Sequence, residues 1–483
     1  QSSAKNQSNR FLIQALRDFG AKCDGSSDDT AAFTKIYAAL NVIGGGRIIL
    51  PWNSDCHIKG TLIAKTPIVV EGAGKYNSYI TQELSSVDTL VWSGSYYGGG
   101  VYNLSILYKN HESRSGSAIY INKVSDFFVK NVNIYNPYNG IREDEAGVVR
   151  LENVDISRAV YDSFLINGGP VQYLTNVSSY NDDDRPSHAG VEILSTGATH
   201  LVNSGMSGQG ISVLIDPSGA AIQHAGWVQG QAFDIWISEC DLDDASINGL
   251  SISPRDGGTV HSVQVIGTRI GVARAAGIVL GNPDPSISGV INDIVFSGDI
   301  ISGSRKQGVV IFDGSDISFD GTQFLGNSIQ EGNYAGIDLE GGDRINFNGV
   351  TSGKWKNLPK TQSYGLQIGK YFSGHIAFVG GNLSNNILGP YINNSIKSPF
   401  FSISNTISVN PVGVTLPIIG SSPWTYTAGP TQENMIISGG IISSISIDGK
   451  IFPFQGNVNV PLNPGQSVVI RYKISPHIFV NAQ

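Results

Sequence analysis

Four carboxylates in the middle of the chain have the types and the spacing that hydrolysis of a glycosidic bond requires. Glu192 stands within an otherwise apolar stretch, Asp216 ends an apolar run, and Asp241 and Asp243 follow one period later. Glycoside hydrolysis uses two carboxyl groups, one protonated as the acid and one ionised as base or nucleophile, about 5–9.5 Å apart. We therefore predict that the catalytic pair comes from these four residues. The alternative for any one of them is a solvated turn residue.

Aromatic side chains accompany these carboxylates. An insertion carries His224 and Trp227, and Trp236 follows it. Extra residues in a repeat protein form loops on one face, which is often the binding face. Tyr180 aligns with Asp243 on one outward face. Because an exposed Trp offers a flat apolar platform and an N–H donor, we predict that His224, Trp227, Trp236 and Tyr180 bind substrate. The alternative is that the two Trp side chains pack between the insertion and its coil.

Two other kinds of site receive less support. A lyase needs a base placed beside a uronate carboxylate, and its candidates, Arg255, Arg269, His261 and Tyr180, are dispersed along the chain. Residues 182–184 (DDD) resemble a cation-binding loop, but no Asp-x-Asp repeat extends them. We therefore predict a loop surface there, with no metal and no cofactor.

The elements that must position these residues form an internal repeat. Its signature is a Gly followed by alternating apolar residues, as in residues 189–193 (AGVEI), 276–280 (AGIVL) and 335–339 (AGIDL). The period of roughly 20–30 residues is shorter than the roughly 40–45 residues of a propeller blade. Each unit cannot bury its apolar side alone, so neighbouring units must stack. This pattern favours an all-β fold, a right-handed parallel β-helix or solenoid, with inward apolar ladders and outward positions available for chemistry.

Composition agrees with short strands and turns. Only 14% of the 483 residues are charged, 59 are Gly and 40% are hydrophobic. These values exclude a disordered chain and a helical bundle. The net charge of −8 argues against a general nucleic-acid binder.

The cysteines and the apolar runs suggest where the chain functions. Cys23, Cys56 and Cys240 are too few and too scattered to indicate a disulfide framework or a zinc site. We therefore expect folding in a reducing cytosol or independently of redox conditions. We expect no membrane span, because no apolar run reaches about 18 residues. Residues 1–10 resemble a polar leader without a signal-peptide pattern.

Three domains are predicted. Residues 1–40 form a leader and a short capping helix, in which Phe33, Ile36 and Leu40 share one apolar face. Residues 41–395 form the parallel β-helix. Residues 396–483 contain scattered prolines between short apolar runs, and we predict a small β-rich domain that caps the solenoid and trimerises it.

Several motifs resemble a known superfamily. The entry segment, residues 18–25 (DFGAKCDG) and 28–33 (DDTAAF), is similar to that of the pectate-lyase-like β-helix superfamily. Residues 44–51 (GGGRIILP) and 70–74 (VEGAG) match its next two landmarks. The C-terminal segments look like terminal domains of bacteriophage tailspikes; they are residues 422–427 (SPWTYT), 437–440 (ISGG) and 462–466 (LNPGQ).

This resemblance implies a homotrimer that binds and cleaves a bacterial surface polysaccharide. It also implies that the protein is part of a virion tail or is extracellular. The polymer would be a capsule, an exopolysaccharide or an O-antigen. The superfamily includes hydrolases, lyases, esterases and non-cleaving binders, and fold alone does not choose among them. The paired carboxylates favour an endo-acting glycoside hydrolase. A lyase on the same scaffold and a non-catalytic glycan-binding tail protein or adhesin stay open as alternatives.

Overall fold

The chain forms a right-handed parallel β-helix followed by a small antiparallel β domain, which confirms the predicted fold class. The parallel strands extend from Ile13 to Ser404. The structure is a computed structural model, and it describes residues 13–109, 115–182, 186–219, 230–330, 332–409, 414–429, 432–453 and 456–482.

Each coil of the β-helix adds strands to three ladders, which we call A, B and C. Within the described residues, ladders A and B form one 25-stranded sheet and ladder C a 13-stranded sheet. Ladder A contains Ile13–Ala15, Gly46–Ile49, Ile68–Glu71, Val171–Thr175, Thr199–Val202, Gln231–Ser238, Thr259–Ile266, Val290–Ser297, Ser315–Asp320, Asp343–Asn348, His375–Val379 and Phe400–Ser404. Ladder B contains Asp24–Asp28, Ser54–Ile58, Ser78–Gln82, Ser178–Tyr180, Gly205–Ser207, Asp241–Asp243, Arg269–Gly271, Ile300–Ser302, Gln323–Leu325 and Thr351–Gly353. Three longer strands belong to both ladders: Gly100–Tyr108, Phe127–Tyr135 and Val148–Ser157. Ladder C contains Leu62–Ala64, Leu90–Tyr97, Ser117–Ser125, Asn139–Asp144, Asp162–Asn167, Ala189–Ser195, Ile211–Ile215, Asn248–Ile252, Ile278–Leu280, Val309–Ile311, Ile337–Leu339, Tyr364–Ile368 and Gly389–Asn393.

The core lies inside the coils and follows the alternation of each strand. Val191 and Ile193 are buried in it, so the intervening Glu192 faces outward. Equivalent positions stack from coil to coil. The rings of Phe296, Phe319 and Phe347, for example, lie 4.7 and 5.1 Å apart between successive centroids. Inward side chains therefore hold the coils together, and outward side chains are left for solvent or substrate.

A left-handed backbone corner repeats between ladders A and B. Its residues have φ between 50° and 68° and occupy positions 103, 131, 153, 176, 203, 239, 267, 298, 321, 349, 380 and 405. Asn and Gly are the residue types that tolerate this conformation best. Neighbouring Asn side chains also bond to each other, as Asn153 Nδ2 donates to Asn131 Oδ1 at 2.6 Å. Among these described corner positions, Glu239 alone is neither Asn nor Gly.

Replacing Glu239 by Asn is expected to stabilise the β-helix by about 0.5–1 kcal/mol, because Asn adopts the left-handed conformation at lower cost. Calorimetry should therefore show a higher Tm for Glu239→Asn. The control is Glu152→Asn, which makes the same chemical change at an exposed strand position with an ordinary backbone. An equal rise of Tm in both variants would contradict the explanation.

The predicted N-terminal helix is present and covers the first coils. It spans Thr30–Ile43, and its apolar face, including Phe33, Ile36 and Leu40, is buried. Gly44 ends the helix at φ 93°, and its N–H donates to the Leu40 carbonyl. Two short 3-10 helices lie at Leu16–Phe19 and Pro285–Ile287. The described helices include none that is long and apolar enough to cross a membrane.

The cysteines were too few and too scattered to indicate a disulfide framework, but Cys23 and Cys56 are bonded to each other. The strands Asp24–Asp28 and Ser54–Ile58 are adjacent in ladder B, with Asp24 beside Asp55. One coil therefore separates the two cysteines and brings them together, although they are distant in sequence. The expectation of a reducing cytosol loses its basis with this bond. Cys240 is a free, buried thiol.

Within the described residues, the C-terminal domain contains two four-stranded antiparallel sheets with a core of their own. One sheet contains Val414–Thr415, Glu433–Ser438, Val458–Leu462 and His477–Ala482. The other contains Trp424–Thr427, Ile441–Ile447, Lys450–Phe452 and Ser467–Ile474. The domain boundaries drawn at residues 40 and 395 stay a prediction.

Candidate active site

Glu192 lies on the outer face of ladder C, in the middle of the strand Ala189–Ser195. Its neighbours in register are Leu165 on the preceding coil and Leu214 on the following one. The side chain is only 7% exposed. Burial, followed by the adjacent Asp162 carboxyl, raises the pKa of Glu192 to about 9. The group is therefore a carboxylic acid at neutral pH, able to give up a proton to a substrate that lies on this face.

Asp162 is a member of the site that the sequence prediction missed. It begins the preceding strand of ladder C and is fully buried. Its Oδ1 accepts hydrogen bonds from the Ala189 N–H at 3.1 Å and from His188 Nδ1 at 3.0 Å. Burial raises the pKa of Asp162 to about 7, against the opposing effect of its hydrogen bonds. No sequence signal singles it out, because an acidic residue beside a turn is usually solvated.

Asp216 follows the strand Ile211–Ile215 on the next coil of the same ladder. It forms an ion pair with Arg255, whose Nη2 lies 2.8 Å from Oδ2. Within the described residues its Oδ1 has no hydrogen-bond partner. Burial and the nearby Glu192 raise the pKa of Asp216 to about 7, whereas Arg255 and His188 oppose this. Two of the predicted carboxylates, Glu192 and Asp216, are thus on adjacent coils of one face.

A column of stacked rings lies beside the carboxylates. His188 stacks on Tyr161 at 4.6 Å between centroids, and Tyr161 stacks on Tyr138 at 5.4 Å. This stacking fixes the plane of the imidazole and directs Nδ1 at Asp162. Tyr161 is 37% exposed, so the column also presents apolar ring edges to the surface on the N-terminal side of Glu192.

A cavity of about 360 Å³ opens on the C-terminal side of Asp216. It extends over successive coils of ladder C, and among the described residues of its wall Asp216 and Arg255 are charged. The remaining lining is uncharged: Ile211, Leu214, Asn248, Ser251, Ser253, Val279, Gly281, Asn282, Pro283 and Phe312. Hydroxyl and amide groups beside apolar surface suit a sugar, which has polar edges and an apolar face. The three carboxyls therefore stand between an aromatic column and a cavity with both apolar and polar lining.

Asp241 and Asp243 lie elsewhere, on the outer face of ladder B. The register confirms that Asp243 aligns with Ser207 and Tyr180, as the strand alignment predicted. Both aspartates bind Arg269, at 2.7 and 2.9 Å. The structure does not bring them together with Glu192. Tyr180 is exposed on the same ladder B face.

Trp236 belongs to ladder A. Its ring stacks on His200 at 4.5 Å, and His200 stacks in turn on Tyr173 at 4.9 Å. The residues His224 and Trp227 lie outside the described residues. The described chain before them reaches Gly219, whose N–H donates to the Arg255 carbonyl beside the carboxylates. The four predicted substrate-binding residues stay predictions, and the structure places Trp236 and Tyr180 away from Glu192.

The four side chains predicted as candidates for a lyase do not lie together. Arg255 faces Asp216, whereas Arg269 lies on ladder B. His261 lies on ladder A, where its ring stacks on Phe233 at 5.1 Å. Of these predicted residues, Arg255 lies at the carboxyl cluster, where it is the cation paired with Asp216.

The residues at this site that could hold a metal are Asp162, His188 and Glu192, whose ligand atoms lie within 4.8 Å of one another. The nitrogen that faces the two carboxyls is His188 Nδ1, and it already bonds to Asp162. A cation would have to displace this hydrogen bond. Burial raises the pKa values of all three carboxyls, so the site can hold and release protons. General acid–base chemistry is therefore the chemistry that this geometry favours.

Solved structures that resemble this chain share its fold. A double mutant of the tailspike protein of E. coli bacteriophage HK620 matches with a TM-score of 0.61 at 10% identity, covering 98% of this chain and 93% of that one. The A-module of the Azotobacter vinelandii mannuronan C-5 epimerase AlgE6 matches with a TM-score of 0.55 at 15% identity, covering 82% and 99%. An exopolygalacturonase from Thermotoga maritima matches with a TM-score of 0.52 at 14% identity, covering 71% and 91%.

These likenesses confirm the predicted resemblance to parallel β-helix proteins, and at such identities they establish the fold alone. No protein-family model matches the chain, and no curated protein sequence matches it either.

Proposed function

We propose that this protein cleaves a bacterial surface polysaccharide as an endo-acting glycoside hydrolase. The observation that carries the proposal is the cluster of three buried carboxyls, Asp162, Glu192 and Asp216, on adjacent coils of one outer face. Two carboxyls in different protonation states are what glycoside hydrolysis requires. The cavity of about 360 Å³ and the ring column on either side of them give a polymer room to extend in both directions, which favours internal cleavage.

Glu192 is assigned the role of general acid and Asp216 that of the ionised base or nucleophile. The pKa of Glu192, about 9, is the highest of the three, so it keeps its proton at neutral pH. Asp216 faces the Arg255 guanidinium, which favours the ionised carboxylate. Environments that separate the pKa values of paired carboxyls assign acid and base in this way.

The test is a panel of purified capsules, exopolysaccharides and O-antigens. We expect at least one polymer to shorten on size-exclusion chromatography while reducing ends appear. An unsaturated uronate product, detected by its ultraviolet absorbance, would show a lyase instead. Saturable binding without any shortening would show a glycan-binding tail protein or adhesin.

We further propose that the protein is a homotrimer and that it is either part of a virion tail or extracellular. Residues 396–483 would be the domain that caps the β-helix and trimerises it. The likeness to a tailspike protein, which covers 98% of this chain, supports this assignment. Exposed apolar side chains of the domain also support it, since Ile418 and Ile451 are 94% and 81% exposed. Sedimentation equilibrium should give three times the 51.4 kDa of one chain. A monomer at micromolar concentration would contradict the trimer, and deleting residues 396–483 should abolish it.

A further inference from the structure

We infer that Asp162 is a positioning residue that holds the proton of Glu192 without touching substrate. The inference rests on the proposed function, in which Glu192 is the acid. Asp162 is fully buried, so a polymer lying on ladder C contacts Glu192 and does not reach the carboxyl behind it. The effect of Asp162 on the reaction must therefore pass through Glu192.

The carboxyl of Asp162 is held in one orientation. Two donors, the Ala189 N–H and His188 Nδ1, bond to its Oδ1. The Tyr161 ring stacks on His188 and keeps the imidazole in place. Oδ2 is buried and has no hydrogen-bond partner among the described residues, and one oxygen of Asp162 lies within 4.8 Å of one oxygen of Glu192. A proton on Glu192 would supply the donor that Asp162 Oδ2 lacks.

The charges around Glu192 show why this contact matters. His188 and Arg255 lower the pKa of Glu192 and so favour its ionised form. Asp162 on the coil before favours the protonated form, both by its charge and by accepting the proton in a hydrogen bond. Asp216, on the coil after, and Glu192 repel each other when both are ionised. Tyr161 is neutral over the working range, since its pKa is raised to about 12.

Two neighbouring carboxyls that share a proton behave as one coupled unit. Without the charge of Asp162, less would oppose the effect of His188 and Arg255, which lowers the pKa of Glu192. Its pKa should then fall, and the fraction of enzyme that carries the acidic proton at neutral pH should fall with it. A residue with a purely structural role would not have this effect.

The closing experiment measures the proton directly and needs no substrate. Isotope-edited infrared spectroscopy of protein labelled with ¹³C at Glu follows the carbonyl band of buried carboxylic acids, and the Glu192 band is assigned by its loss in Glu192→Gln. We expect the Glu192 band of the natural chain to titrate with a midpoint at about pH 9. In Asp162→Asn, which keeps the shape and can still accept from Ala189 N–H, the midpoint should fall by at least about one pH unit.

The matched control is Asp338→Asn. Asp338 is another buried carboxyl of ladder C, and its oxygens are held by Gln307 and Gln367, so its removal should leave the Glu192 midpoint unchanged. An unchanged midpoint in Asp162→Asn would overturn the inference. Should Asp162→Asn fail to fold, Glu192→Gln protein labelled at Asp provides the reciprocal test. There the Asp162 midpoint must move, and an unmoved midpoint overturns the inference equally.

Activity adds a readout that separates this inference from the proposed function. On a cleaved polymer, the alkaline limb of the pH profile reports loss of the acidic proton. This limb should move to lower pH in Asp162→Asn and stay in place in Asp338→Asn. If the natural chain cleaves no polymer, the proposed function fails, whereas the infrared titration still decides the role of Asp162.

Discussion

Glu192→Gln is expected to slow cleavage of the cognate polymer by about a thousandfold, because the amide cannot donate a proton to the leaving glycosidic oxygen. Gln has nearly the same shape as the protonated acid, so the buried site should accept it without loss of stability. The measurement is the initial rate of reducing-end release at saturating polymer. Binding of the polymer should be retained, since the defect lies in the chemical step.

The controls for this prediction are Asp241→Asn and Asp243→Asn. These two carboxylates were predicted from the sequence as candidates for the same pair, but both bind Arg269 on the outer face of ladder B. We expect them to retain activity within about twofold. A rate for Glu192→Gln close to that of the natural chain would remove Glu192 from the reaction. A large loss in the Asp241 or Asp243 variant would place the site on ladder B.

Asp216→Asn is expected to cause the second large loss, about a hundredfold to a thousandfold, because the ionised partner of the acid disappears. Arg255 also loses its counter-ion at a partly buried position, which misplaces the guanidinium. The reducing-end assay measures the rate, and a Tm measurement separates lost chemistry from lost folding.

The two roles open to Asp216 are distinguished by the anomeric configuration of the product that the natural enzyme releases, and azide rescue of Asp216→Ala tests whether Asp216 takes either role. If Asp216 is a nucleophile, azide should restore turnover and give a glycosyl azide of the opposite anomeric configuration to the retained product. If Asp216 is a base that activates water, azide attacks in place of that water in Asp216→Ala. The natural enzyme then inverts the anomeric configuration of its substrate. The control is Asp256→Asn, which changes an exposed carboxylate bonded to Ser218 near Arg255. A full natural rate in Asp216→Asn would contradict both roles.

Much of the fold follows from local pattern. Alternation within residues 189–193 determines that Val191 and Ile193 point inward and Glu192 outward, because successive side chains of a strand face opposite sides. The same rule aligned Asp243 with Tyr180 and Ser207, as the register confirms. The corner glycines and asparagines similarly mark where the backbone turns left-handed.

The composition of the site depended on contacts between coils. The sequence marks Glu192, Asp216 and Asp243 alike as outward carboxylates, but a β-helix has three outer faces, and the lengths of the turns decide which face each residue occupies. Asp162 reaches Glu192, and Cys23 reaches Cys56, only because one coil returns the chain to a position beside its predecessor.

The sequence by itself thus determined the repeat, the fold class and the inward or outward direction of most strand residues, because these depend on neighbours along the chain. The tertiary structure decided which carboxyls meet, since burial and charge between coils act across about 25 to 35 residues of sequence with no local signal. The raised pKa values of Asp162, Glu192 and Asp216 are a property of that packing.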